Sequence, residues 1–172
     1  IDLQELRDAI RDETTLVSVM YANNEIGVIQ DIAAIGSICK EAGILLHCDA
    51  TQAVGRIPID VNALNVDLLS ASAHKFYGPK GVGFLYVRGE NPRVRLEPIF
   101  TGGGQERGVR SGTLNTPAIV GMATAMALAV EEMEHENLRL KGLRDRLYEE
   151  LVSEITDVVL NGPGLENPET RL

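Results

Sequence analysis

The feature that most constrains this chain is the alternation of short apolar, β-branched runs with helix-like stretches, without any internal repeat. Thr15–Met20, 44–48, 68–71 and 84–87 are such runs and predict buried strands. Between them, Asp31 is placed to cap a helix whose apolar face carries Ile32, Ile35, Ile38, Cys39 and Ala42, and Gly43 stands where a helix C-terminus favours glycine. Near the start, Asp2 with Glu5 three residues later has the form of a capping box, with Leu3, Leu6 and Ile10 on one face. Strands separated by helices imply an α/β fold, a three-layer, mainly parallel sheet with helices on both faces. Residues 93–99 read as extended.

From Thr116 the character changes. Thr116 is placed as N-cap and Pro117 as first helical residue, and an apolar, alanine-rich run gives way to a charged stretch ending near Glu154. Gly142 is the expected bend. We read residues 1–133 as an incomplete large domain and 134–172 as the start of a smaller α+β domain, with a strand at 158–160 and a turn-rich 161–168. The chain opens inside a helix cap, so we expect a segment of a longer protein lacking N- and C-terminal parts.

Composition excludes several functions. A formal net charge of −9 opposes general binding to nucleic acid or to an anionic membrane. No apolar run approaches the ~20 residues of a membrane span. Two cysteines are too few for a disulfide framework or a Cys-rich zinc site, so no metal is expected and a reducing interior is. Locally the sign reverses: between 75 and 110 stand Lys75, Lys80, Arg88, Arg93, Arg95, Arg107 and Arg110 against Glu90, Glu97 and Glu106. Such a segment suits either an anionic ligand or a solvated face.

Ligands of open α/β sheets bind beyond the carboxyl ends of strands. Polar clusters stand there after the first three runs: Asn23–Asn24–Glu25, Asp49–Ala50–Thr51–Gln52, and Ser72–Ala73–His74–Lys75. Each member has an ordinary alternative. A strand-end Asp also caps helices, a Lys after a strand is commonly a surface cation, and a lone His is commonly packed or solvated. Their joint occurrence matches one chemistry. Pyridoxal phosphate needs a lysine for its covalent link, an acid for its ring nitrogen, and donors for its ring oxygen and phosphate; Lys75, Asp49, Gln52, Asn24, Ser72 and His74 supply that list. The glycine-rich 77–83 loop lacks the phosphate-loop pattern.

The stretches NNEIGVIQDI, HCDATQAVGRIPIDV, LLSASAHKFYGPKGVGFLYVR and GGGQERGVRSGT resemble NifS/IscS-type cysteine desulfurases, within the class-V aminotransferase-like, fold type I pyridoxal-phosphate enzymes. The resemblance runs from about Asp2 to the chain end. It implies that Lys75 is the lysine bound to the cofactor and a proton carrier, with Asp49 on the pyridine nitrogen. Gln52 and Asn24 would lie near the phenolic oxygen, and Ser72 and His74 on the phosphate. It makes Lys75, Asp49 and His74 the catalytic set, and sends Thr113 to the phosphate of a neighbouring subunit, hence a homodimer. The implied reaction converts L-cysteine to L-alanine and passes sulfur, as a persulfide on an enzyme cysteine, to an iron–sulfur scaffold or other acceptor protein. The implied compartment is the cytoplasm, or a mitochondrial or plastid matrix.

Nothing here matches the family's ring-stacking histidine, its N-terminal phosphate-binding turn, its nucleophilic cysteine or its substrate-carboxylate arginine. Cys39 lies on an apolar helix face. Cys48 lies in a strand, turned away from Asp49. Two other readings use the same residues: a pyridoxal-phosphate lyase or aminotransferase for another amino acid, and an inactive dimerisation or binding module.

Overall fold

A computed structural model describes every residue except Pro168 and Glu169. Helix α1 (Leu3–Ala9) starts where Asp2 accepts hydrogen bonds from the Gln4 and Glu5 amides. Strand β1 (Leu16–Met20) follows, then α2 (Ile32–Ala42), capped by Asp31 on the Ala34 amide and closed by Gly43 at φ 71°. Next come β2 (Leu45–Asp49), β3 (Leu68–Ser72), a short 3-10 turn (Ala73–Phe76) and β4 (Gly83–Val87). The sheet order is β1-β2-β3-β4; the first three strands are parallel and β4 runs antiparallel to β3. The expected α/β architecture is thus present, with the four buried strands predicted between 15 and 87 found to within a residue or two.

Alternation along β2 separates two faces. Leu46 and Cys48 are buried with Ile32, Ile35 and Cys39 of α2 in the main cluster, joined by Val66, Leu69, Ala71 and Phe76. On the other face the register aligns Ser18 with His47, Met20 with Asp49, and Asp49 with Ser70. Leu16 and Leu85 on that face are exposed.

Two stretches, 93–99 read as extended and 158–160 read as a strand, do not join the sheet. Residues 93–99 pair with no strand. Pro92 and Pro98 offer no amide hydrogen, and Val94 instead turns back, its amide donating to the Arg88 carbonyl at 3.0 Å. Residues 158–160 are irregular as well. Near the chain end it is Arg171 that bridges Val28. Within the turn-rich 161–168 stretch, Pro168 lies outside the described residues.

The long helical run also differs. Its cap is Asn115, whose side chain accepts from the Ala118 amide, so Thr116 is already helical and Pro117 is one residue further in. The run divides at Glu132 into α3 (Thr116–Glu131) and α4 (Met133–Glu154). Gly142 lies inside α4, spanned by a 2.6 Å ion pair from Lys141 to Asp145 that supports helix across it. The division falls where the apolar sequence ends and the charged one begins. There Asn137 donates to the Arg56 carbonyl at 2.7 Å, tying the start of α4 to the turn after β2. Among the described residues no helix is long and apolar enough to cross a membrane.

Candidate active site

Parallel pairing of β1, β2 and β3 brings the three polar clusters to one end of the sheet. Asp49 is the last residue of β2. Its carbonyl accepts from Tyr21 at 2.8 Å, and its Oδ1 accepts from the Thr51 amide at 3.0 Å, which turns the chain away from the strand. Its second carboxylate oxygen takes no hydrogen bond among the described residues. Gln52, half-buried in that turn, also makes no side-chain hydrogen bond among the described residues.

Ser72 ends β3, one strand over. Its hydroxyl lies 2.8 Å from Nδ1 of His74 in a hydrogen bond. Both belong to a tight bend made rigid by burial of Ala73 and Phe76. Tyr77 leaves it at φ 66°. Lys75 is exposed, forms no ion pair among the described residues, and lies on the wall of a cavity of about 560 Å³ between Gly55–Arg56, Tyr77 and α3. Close approaches hold α3 there: a Cβ on Gly121 would meet Pro79 at 2.8 Å, and one on Gly55 would meet Ala129 at 2.7 Å.

After β1, it is Asn23 that builds the turn, accepting from the Glu25 and Ile26 amides at 2.9 and 3.0 Å. Asn24 stands exposed at the tip with no hydrogen bond of its side chain among the described residues. Thr113 is exposed in the 101–115 loop, and no hydrogen bond joins it to the other candidates.

One polar group at this sheet was not singled out from the sequence. His47 lies on the Asp49 face two residues below it. Its Nδ1 is 2.8 Å from Ser18 Oγ and its Nε2 is 3.1 Å from Ser70 Oγ, so a polar row crosses three strands. Strand alternation shows the shared face, but the serine partners come from register.

The cysteines are inert by environment. Cys48 is fully buried, and burial, with the Asp49 charge second, pushes its thiol up to about 12. Cys39 is raised by burial and then by Asp67. Neither supplies appreciable thiolate near neutrality.

Among the described residues, an amine without an ionic partner, a half-committed carboxylate, a Ser–His pair and two uncommitted carboxamides therefore share one end of a parallel sheet. This set offers a covalent anchor, an acceptor for a protonated nitrogen, and donors for an anion.

The chain is 59% identical over 162 residues to the cysteine desulfurase IscS of Klebsiella pneumoniae (strain 342), covering 94% of this chain and 40% of that protein. It thus spans about two fifths of the length of the curated relatives it matches. Among solved structures, a NifS-like protein from Rickettsia africae superposes with a TM-score of 0.86 at 37% identity, covering 95% of this chain and 46% of that one. A structure described as SspA in complex with cysteine gives a TM-score of 0.70 at 46% identity, over 74% of this chain and 36% of that one. The model of the aminotransferase class-V family matches residues 1–170, and the chain belongs to that family.

Proposed function

We propose that this chain forms the cofactor-anchoring part of a pyridoxal-phosphate-dependent cysteine desulfurase. The observation that carries the reading is the gathering of Lys75, Asp49, Ser72–His74, Gln52 and Asn24 at one end of three parallel strands, with one Asp49 oxygen and the Gln52 and Asn24 carboxamides making no hydrogen bond among the described residues. Relatives named cysteine desulfurase and a neighbour described with bound cysteine support L-cysteine as substrate.

When bound, pyridoxal phosphate supplies an electron sink for bond breaking at the amino acid. The residues of this chain have distinct tasks around it. Lys75 would hold the cofactor covalently, and its amine, when free, would move protons at the substrate carbon. The free oxygen of Asp49 accepts the ring N–H and keeps that nitrogen charged. Ser72 and His74, pre-joined by their own hydrogen bond, bind the phosphate, while Gln52 and Asn24 hold the ring oxygen. Thr113 reaches the phosphate of a second subunit in a homodimer. L-cysteine leaves as L-alanine, and its sulfur passes to a thiol other than Cys39 or Cys48, then to an iron–sulfur scaffold or another acceptor. The large domain ends near residue 133 in this reading.

Borohydride reduction of the cofactor-loaded protein tests it. The pyridoxyl mass is expected on the peptide carrying Lys75; label on any other lysine overturns the assignment.

A further inference from the structure

We propose that Arg171 is a positioning residue that fixes the turn carrying Asn24. The proposal rests on the functional reading above, which sets Asn24 beside the cofactor ring.

Arg171 is only 8% exposed. Its guanidinium spreads over three backbone carbonyls. Nε donates to Pro163 at 3.1 Å, Nη2 to Pro163 at 2.6 Å and also to Asn161, and Nη1 to Ile26 at 3.0 Å. Two of these acceptors are near neighbours in sequence; Ile26 is 145 residues away. The backbone repeats the link. Ile29 donates to Thr170 at 2.9 Å, Leu172 donates to Gly27 at 2.8 Å, and Arg171 bridges Val28 in antiparallel fashion. Residues 170–172 thus lie as a short strand along the 26–29 edge, stapled by the guanidinium.

That edge is one arm of the turn at whose tip Asn24 stands. Asn23 donates to Val28 at 2.8 Å, Gly27 donates to Asn23 at 3.2 Å, and Ala22 bridges Ile29 across the base. With its side chain making no hydrogen bond among the described residues, Asn24 is placed by the turn alone. The turn in turn is held by a segment from the other end of the chain. A lysine cannot substitute: a point ammonium on a flexible stem lacks the planar fork that addresses carbonyls on both sides.

The test uses the complete gene product containing this chain, with and without pyridoxal phosphate, as wild type, Arg171→Ala, Arg171→Lys, Asn24→Ala and the Asn24→Ala/Arg171→Ala double variant. Hydrogen exchange at the Gly27 and Ile26 amides is expected to rise at least tenfold in both Arg171 variants, with the amides of β2 and β3 unchanged. The absorption band of the bound cofactor shifts in Arg171→Ala in the same direction as in Asn24→Ala, and the double variant shifts no further. Added guanidinium ion restores the Arg171→Ala band. Unchanged exchange in the turn, exchange rising equally throughout the sheet, or additive shifts in the double variant overturn the proposal. If Arg171→Ala fails to fold, Arg171→Lys carries the exchange comparison. An unchanged band in Asn24→Ala overturns the cofactor reading of Asn24, while exchange in the turn, read without cofactor, still decides whether Arg171 holds it.

Discussion

Cys48 and Asp49 are neighbours with opposite surroundings, because a strand turns successive side chains to opposite faces. Asp49 has one carboxylate oxygen without a hydrogen bond among the described residues. Asp49→Asn preserves shape and removes charge, so the protein is expected to retain bound cofactor while turnover falls ~10²–10⁴-fold, the scale of a positioned acid–base group; cofactor content and alanine release measured together check this. Cys48 has the reverse character. Its thiol is raised to about 12 in the fold, so its protonated form stabilises the fold fully below the unfolded thiol range, and that contribution is lost as pH rises toward 12. Unfolding free energies from urea titrations between pH 9 and 11 should therefore fall more steeply in wild type than in Cys48→Ala, by up to ~1.4 kcal/mol per pH unit. Equal slopes would show that the thiol titrates normally. At this scale the sequence shows whatever is adjacent along the chain: Asp49, Ser72, His74 and Lys75 all follow apolar runs. It hides what register assembles. His47 meets serines on two other strands, and Arg171 meets a carbonyl near the opposite end of the chain.

The strands and helices owe their joints to a few groups. Asp67 and Arg88 form the clearest one. Their side chains are 10% and 11% exposed and 3.1 Å apart. Asp67 also accepts from the Leu46 amide, and Arg88 donates to the carbonyls of Val61 and Val66 and to Asn62. The pair thereby ties β2, the 61–66 turn and the end of β4 together. Arg88→Ala leaves a buried carboxylate unpaired and should cost ~3–5 kcal/mol in urea unfolding; a loss below 1 kcal/mol would mean that water replaces the guanidinium. At the other joint, Gly121→Val drives a side chain into Pro79, with an overpacking cost of ~1–3 kcal/mol. It should also loosen the bend bearing Lys75, read as faster borohydride-independent loss of cofactor on dilution. Helices α1 and α2 were legible from their periodicity and caps, and the four strands from their short apolar runs. The strand expected at 158–160 does not form, since an extended apolar stretch becomes a strand only when a free edge lies beside it. Gly142 misled for a related reason: intrinsic propensity yields to the ion pair across it and to the anchoring of α4 at Arg56.

Across the whole molecule, large apolar side chains remain in contact with water. Ile99 is 90% and Phe100 65% exposed, and Leu138, Leu143 and Leu147 of α4 are exposed as well. Surfaces of this kind mark interfaces or aggregation sites. The 172-residue chain alone is expected to self-associate, with light scattering falling in Ile99→Ser/Phe100→Ser, and to release no alanine from cysteine. Alanine release abolished by Cys48→Ser would overturn the reading of that thiol as inert. The sheet order has a consequence in time. Strands that are neighbours in sequence are neighbours in space, so each can dock on the one before it as the chain leaves the ribosome, closing only short loops. The contact between Ile26 and Arg171 spans nearly the whole length and closes the largest loop at the greatest entropic cost. The sheet is therefore poised to assemble early, with the tip that bears Asn24 unsecured until residue 171 has been made: synthesis itself sets the order in which scaffold and site are finished.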